Sequence, residues 1–327
     1  MNAKHSRPEG AIPVWFRHYR RLCFALLLGL MLAPLFAYHP VESAPFHELY
    51  SNRPPNNADR ALSDHLTQKI GDLQMRFGVY PDAKVKIYII YSESEYQELS
   101  QGKARIVEFS DAFYSGSEKA IYTRSKDQVL EDYLKILVHE YIHWYIDELF
   151  IGAPLWFHEG MATYSSDQVG YEKYLIYLRE SLINPKSDLF RLGHKYPEEQ
   201  ADWQRFYLSS AMAARYMQDR YPDAWQGFWE RVALSYRAGN RIRFSDAFIN
   251  SYRITLWDFH ARFGKHSKRQ GYLYLVIAFN SLIFALLPFV MLIIARKRRQ
   301  RLKNLPDLPL EEEPELTQEI PETPDST

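Results

Sequence analysis

The chain has 327 residues, 46% of them hydrophobic, and 40 Lys+Arg balanced by 40 Asp+Glu. That is enough apolar material for one large or two modest domains, and the charge balance argues against a nucleic-acid binder. The one cysteine, Cys23, falls inside an apolar run, which excludes disulfides and thiolate metal ligands from the folded region.

In chain order, residues 1–21 form a short polar N-region that ends with Arg17, Arg20 and Arg21 ahead of the apolar run Leu22 to Ala37. At sixteen residues this run lies between a signal-peptide core and a full membrane helix, and either form exports the chain beyond it. Cleavage after Ala37 or Ser43 is the corresponding expectation for a signal peptide. The Pro54-Pro55-Asn56-Asn57 stretch predicts a loop leading to a helix cap near Asn57. Leu62, Leu66, Ile70, Leu73 and Phe77 then recur at helical spacing up to Gly78. Lys84 to Tyr91 is rich in β-branched and aromatic residues and reads as a strand, followed by a short helix capped by Ser92 with Glu95. Ile106 to Tyr114 and Ile121 to Thr123 read as two more strands, joined by the turn Ser115-Gly116-Ser117.

A long helix is expected from near Ser125 or Asp127, where Ser125 and Gln128 offer a capping box. Its apolar face is Leu130, Leu134, Leu137, Val138, Tyr141 and Tyr145. His139 and His143 lie four residues apart on another face, so both imidazoles can aim at one point, with Glu140 beside it. Two neutral nitrogens and a nearby carboxylate are what a zinc hydrolase needs. The plain alternative is a helix bearing two solvated histidines. Catalytic zinc takes three protein ligands. One zinc family supplies a histidine six residues after the second, with a glycine between, but those positions here are Leu149 and Ile146. Gly152 and Pro154 end the helix and a second one opens at Pro154, so a short loop returns Glu159 toward the histidine face.

The segment Pro154 to Tyr164 follows HEYIH with Trp156, Glu159, Gly160, Ala162 and Tyr164 in the pattern W-x-x-E-G-x-A-x-Y. In this the chain resembles the gluzincin metalloproteases, most closely their peptidase MA-like branch, over roughly residues 84–263. The resemblance implies that His139, His143 and Glu159 are zinc ligands and that Glu140 is the general base. It also implies an α+β, thermolysin-like fold with a small N-terminal β-sheet and a mainly helical C-terminal lobe, acting on a peptide or protein substrate. It further implies that the strand just before the metal helix, here Ile121 to Thr123, is the sheet edge along which substrate lies. One departure is Thr163, where family members often carry an acidic residue able to bond a ligating histidine; Asp147 is the alternative for that role. His158 points about 100° away from Glu159 on a helix and is not expected to be a ligand. Among Tyr207, Tyr164 and Tyr174, the resemblance favours Tyr207 as oxyanion donor. Two rivals fit the same residues: a protease-like binding module using zinc as a structural clasp, which has no use for Glu140, and a zinc hydrolase of non-peptide bonds.

Further helices are expected over Tyr171 to Leu182, Trp203 to Asp219 and Phe244 to Phe263, with a core stripe of Trp225, Phe228, Trp229 and Val232. Tyr272 to Ala295 is long enough to cross a bilayer, and the basic residues Arg296 to Lys303 place its carboxyl end in the cytoplasm. Residues 45–268 are therefore expected outside the membrane, in a bacterial envelope, and the acidic, proline-rich tail in 296–327 is expected to be disordered inside.

Overall fold

A computed structural model of the chain describes residues 38–101, 110–125, 129–183, 193 and 195–303. The expectations for the first apolar run, for residues 106–109 and for the acidic tail beyond Lys303 lie outside the described residues. The architecture is mixed α+β. The chain divides into two units, one up to Tyr274 and one from Leu275.

In the first unit, strands β1 (His39–Ser43), β2 (His47–Ser51), β3 (Val85–Ile90), β4 (Ala112–Ser115) and β5 (Ala120–Arg124) form a sheet of order β1-β2-β3-β5-β4. The pairs β2–β3 and β3–β5 are parallel, and β1–β2 and β4–β5 are antiparallel. The parallel pair β2–β3 is connected through helix α1 (Asn57–Phe77). It is closed at its start by a capping box of Asn56 and Asp59 and at its end by Gly78 in the left-handed region, φ 68°. Helix α2 (Glu93–Ser100) begins at the expected Ser92 cap, whose hydroxyl accepts from the Glu95 amide.

The sheet order corrects the substrate-edge expectation. Ile121 to Thr123 belongs to β5, which is paired on both sides; among the described residues the sheet's edges are β1 and β4, and β4 is the one beside β5. The near-continuous burial of β5 is what an interior strand with two covered faces shows.

Helix α3 (Leu130–Leu149) packs along β4 and β5 and against α1. Its N-cap is Val129, which makes no side-chain cap bond, and Leu130 is exposed; Asp127 and Gln128, of the expected start and capping box, lie outside the described residues. The contact with α1 is specific: Gln74 Nε2 donates to Tyr141 Oη at 2.8 Å, and Tyr145 Oη donates to the Val79 carbonyl at 2.8 Å. These bonds, with Leu137, Tyr141 and Ile142 fully buried, fix the rotation of α3 and leave its histidine face to the opposite side.

The helical half comprises α4 (Leu155–Ser165), α5 (Tyr171–Ile183), α6 (Gln200–Arg220), α7 (Pro222–Arg237), α8 (Phe244–Tyr252) and the start of α9 (Leu256–Lys303). A two-residue parallel bridge joins β6 (Phe150–Ile151), just after α3, to β7 (Ile242–Arg243). Around it Phe150, Phe157, Phe228 and Phe244 form an aromatic core, and Trp156 stacks on Phe259 at 5.6 Å between ring centroids. The expected stripe on α7 is core, with Phe228, Trp229 and Val232 buried. The helix expected over Phe244 to Phe263 is in fact two. Arg253, at φ 55°, ends α8, and Thr255 with Asp258 caps α9 through bonds of 2.8 and 3.0 Å.

In α9, the residues from Tyr272 to Ile294 present large apolar side chains outward, and the helix is long and apolar enough to cross a membrane. Its polar residues there are satisfied locally: Asn280 Nδ2 and Ser281 Oγ each donate to the carbonyl four residues back.

Helix α4 meets α6 at Gly160, where an added Cβ would lie 2.3 Å from the Ser210 carbonyl oxygen. Helix propensity alone favours alanine over glycine by up to about 1 kcal/mol. A backbone clash outweighs that, so Gly160→Ala is expected to destabilise the fold by about 1–3 kcal/mol and to displace the neighbouring Glu159. Chemical denaturation together with metal titration checks both; a stabilised variant that retains metal affinity would contradict this packing.

Candidate metal centre

The i,i+4 spacing on α3 brings the rings of His139 and His143 to 4.9 Å between centroids, at 72° to each other. After α3, Gly152 at φ 69° and the N-cap Pro154 turn the chain back, and α4 runs against both α3 and α6. Glu159, next to the Gly160 contact with α6, lies beside the histidines of α3. Its Oε2 lies 3.5 Å from His139 Nε2 and 3.6 Å from His143 Nε2. A tetrahedral ion with ligand bonds of about 2.1 Å would set its ligand atoms about 3.4 Å apart. Oε2 is buried and has no hydrogen-bond partner among the described residues. A buried, unpartnered carboxylate oxygen is costly without a cation. Glu159 is buried and the two histidines are half-buried; their donor atoms all lie within 4.8 Å of one another and could hold a metal ion.

Glu140 is buried next to this cluster, and its Oε2 accepts from the backbone N–H of Tyr114, on edge strand β4, at 2.8 Å. That bond leaves Oε1 as the oxygen not held by the strand. Tyr207, on α6, has its ring 6.4 Å from that of His139. Burial, followed by the charges of Glu159 and Glu140, raises the pKa of its hydroxyl and keeps it a proton donor. The cluster, Glu140 and Tyr207 line one cavity of about 890 Å³, which is also bordered by Ser110 to Tyr114 and by Trp203.

Not every candidate joins the cluster, although His158 and Thr163 also line the cavity. Tyr174 donates to Gln270 on α9, and Tyr164 is not among the residues lining the cavity. His158 stacks on His143 at 5.9 Å and is outside the three-atom cluster. Asp147 accepts from the Tyr114 hydroxyl at 2.8 Å and sits 3.5 Å from an Arg241 nitrogen, so it braces β4 and orients no histidine. Thr163 Oγ1 and His139 Nδ1 are both buried without a hydrogen-bond partner among the described residues.

Two contributors had no sequence signal. The Tyr114 contact to Glu140 is made by the backbone, to which side-chain patterning is blind. Tyr196 comes from an aperiodic polar loop, and its hydroxyl donates to Glu159 Oε1.

The electrostatics derive from burial and proximity. Burial disfavours the charged form of His139, but the adjacent carboxylates of Glu159 and Glu140 raise its pKa above the ordinary 6.5. Burial dominates at His143 and lowers it to about 3. Burial pushes Glu159 up, and the two histidines with Tyr196 more than reverse this, holding it well below the usual carboxylate range. Burial raises Glu140 to about 7, with Glu159 adding to the rise and His139 and the Tyr114 amide opposing it.

No protein-family model matches the chain, and no curated protein matches it.

A metal takes both histidines as neutral ligands. The proton that a raised pKa keeps on His139 therefore competes with metal as pH falls, and the proton on Glu140 competes through charge. Metal affinity is expected to rise with pH through the neutral range, with release of protons on binding. Calorimetry in buffers of different ionisation enthalpy reads the proton count; pH-independent binding without proton release would contradict the assignment.

Proposed function

We propose that the chain is a membrane-anchored zinc metallopeptidase of gluzincin type with a thermolysin-like catalytic domain. The observation that carries this reading is the convergence of His139, His143 and Glu159 with the carboxylate of Glu140 in one cavity bordered by a sheet edge. Two nitrogens and one carboxylate oxygen are a donor set suited to zinc with one position left open. Zinc, when bound, supplies Lewis acidity that makes a water acidic near neutral pH and polarises a carbonyl oxygen.

The protein residues divide the remaining work. Glu140, anchored through Oε2 by Tyr114, takes a proton from the attacking water at Oε1 and delivers it to the leaving amine. Glu140 would meet the water as a carboxylate, since a divalent charge held by His139, His143 and Glu159 would favour its ionised form. Tyr207 donates its hydroxyl to the oxyanion that forms when water attacks the carbonyl. An extended peptide aligns along β4, whose outward backbone groups alternate with those paired to β5. Ser110 Oγ now donates to the Ala112 carbonyl at 2.5 Å, so an arriving strand takes over a group that the chain satisfies itself while waiting.

The apolar part of α9 anchors the domain in a bacterial inner membrane. The basic run from Arg296 to Lys303 holds the carboxyl end in the cytoplasm and leaves residues 45–268 on the outer side.

The test is hydrolysis of denatured protein by the full chain in detergent. Activity is expected to vanish with chelator and return with zinc. Glu140→Gln should lower turnover by about 10²–10⁴-fold with unchanged zinc content. Chelator-insensitive cleavage, or no cleavage of any peptide by the zinc-loaded chain, would exclude this function.

A further inference from the structure

Glu159 has two oxygens in unlike settings. Oε2 faces both imidazoles and has no hydrogen-bond partner among the described residues, whereas Oε1 accepts a hydrogen bond from the Tyr196 hydroxyl. A carboxylate offering both oxygens to one metal would fill an extra coordination position, the one a catalytic site must keep for water. A hydroxyl donating to Oε1 occupies one of that oxygen's two lone pairs and holds the carboxylate plane with a single oxygen toward the histidines.

The tyrosine is itself held in place. Its ring packs edge-on against Phe206 at 6.1 Å, and the carbonyl of the next residue, Pro197, accepts from the Trp203 indole at 2.9 Å. Both anchors come from the first two turns of α6, the helix that also carries Tyr207. The two tyrosines thus differ in their placement. Tyr196 is spent on Glu159, while Tyr207 lines the cavity with its ring 6.4 Å from that of His139.

From this we infer that Tyr196 is a positioning residue that makes Glu159 a one-oxygen metal ligand and so keeps a coordination position open. The inference rests on the metal-site reading above but assigns a residue that neither the spacing of the motif nor its resemblance supplied. Ligating carboxylates depend on such outer partners, and losing one typically weakens metal binding by about 10–100-fold.

The experiment uses the full chain in detergent. It combines zinc affinity, measured by competition with a chromophoric chelator, with the visible absorption of the cobalt(II)-substituted protein, which is intense at four-coordination and weak at five or six. The wild type is expected to give the intense spectrum. Tyr196→Phe keeps the ring and loses the hydroxyl; it is expected to bind zinc about 10–100-fold more weakly and to give the weak spectrum, while the metal-free chain still unfolds cooperatively. Tyr207→Phe is expected to keep wild-type affinity and spectrum while losing turnover. Wild-type affinity and spectrum in Tyr196→Phe would overturn the inference. So would a weak, high-coordination spectrum in the wild type, which needs no variant and holds even if Tyr196→Phe fails to fold. A wild-type chain that binds no zinc at all sinks the metal-site reading instead.

Discussion

The site depends on one close approach: α4 lies near enough to α3 for a single carboxylate oxygen to sit 3.5 and 3.6 Å from two imidazole nitrogens. Helices carrying ordinary side chains at their contact keep their axes about 8–10 Å apart. Gly160 lets α4 approach its other neighbour, α6, at the Ser210 carbonyl, and the adjacent residue, Glu159, carries the carboxylate that joins the cluster with α3. Because Glu159 is buried and Oε2 has no hydrogen-bond partner among the described residues, the fold stores an unmet need for positive charge at that point. Without metal the histidines meet it in part, which is why Glu159 is held low while His139 is held high.

The sheet supplies the second constraint. Placing β4 at the edge beside α3 makes its backbone both the partner of Glu140 and a border of the cavity. Asp147 and Arg241 extend this brace. Arg241 reaches the Phe150 carbonyl as well as Asp147, and so ties the end of α3 to the β6–β7 bridge. One residue, Tyr114, therefore connects strand, general-base candidate and helix end through its amide and its hydroxyl.

Much of this was legible because the periodicities are strong. The i,i+4 histidines, the Gly152 and Pro154 break, the α1 cap and the apolar stripe of α7 each carry a local physical cause that survives in the fold. The edge strand was misplaced because the resemblance was carried onto the strand that directly precedes α3 in sequence, and only the parallel pairing of β3 with β5 decides which arm of the hairpin lies outside. The four-residue buried run of β5 did carry a hint of an interior strand. The division between α8 and α9 could also have been read, since Thr255 and Asp258 form a capping pair inside what looked like one apolar pattern. Strands β1 and β2 and the loop bearing Tyr196 had no comparable signature, because their places are set by long-range pairing.

The central claim is that one metal is held by two imidazoles and one carboxylate oxygen with a position to spare. X-ray absorption at the zinc edge of the loaded full chain tests it most directly. The expected result is a four-coordinate shell with scattering from two imidazoles and two oxygens at about 2.0–2.2 Å. A six-coordinate oxygen shell without imidazole scattering would contradict it.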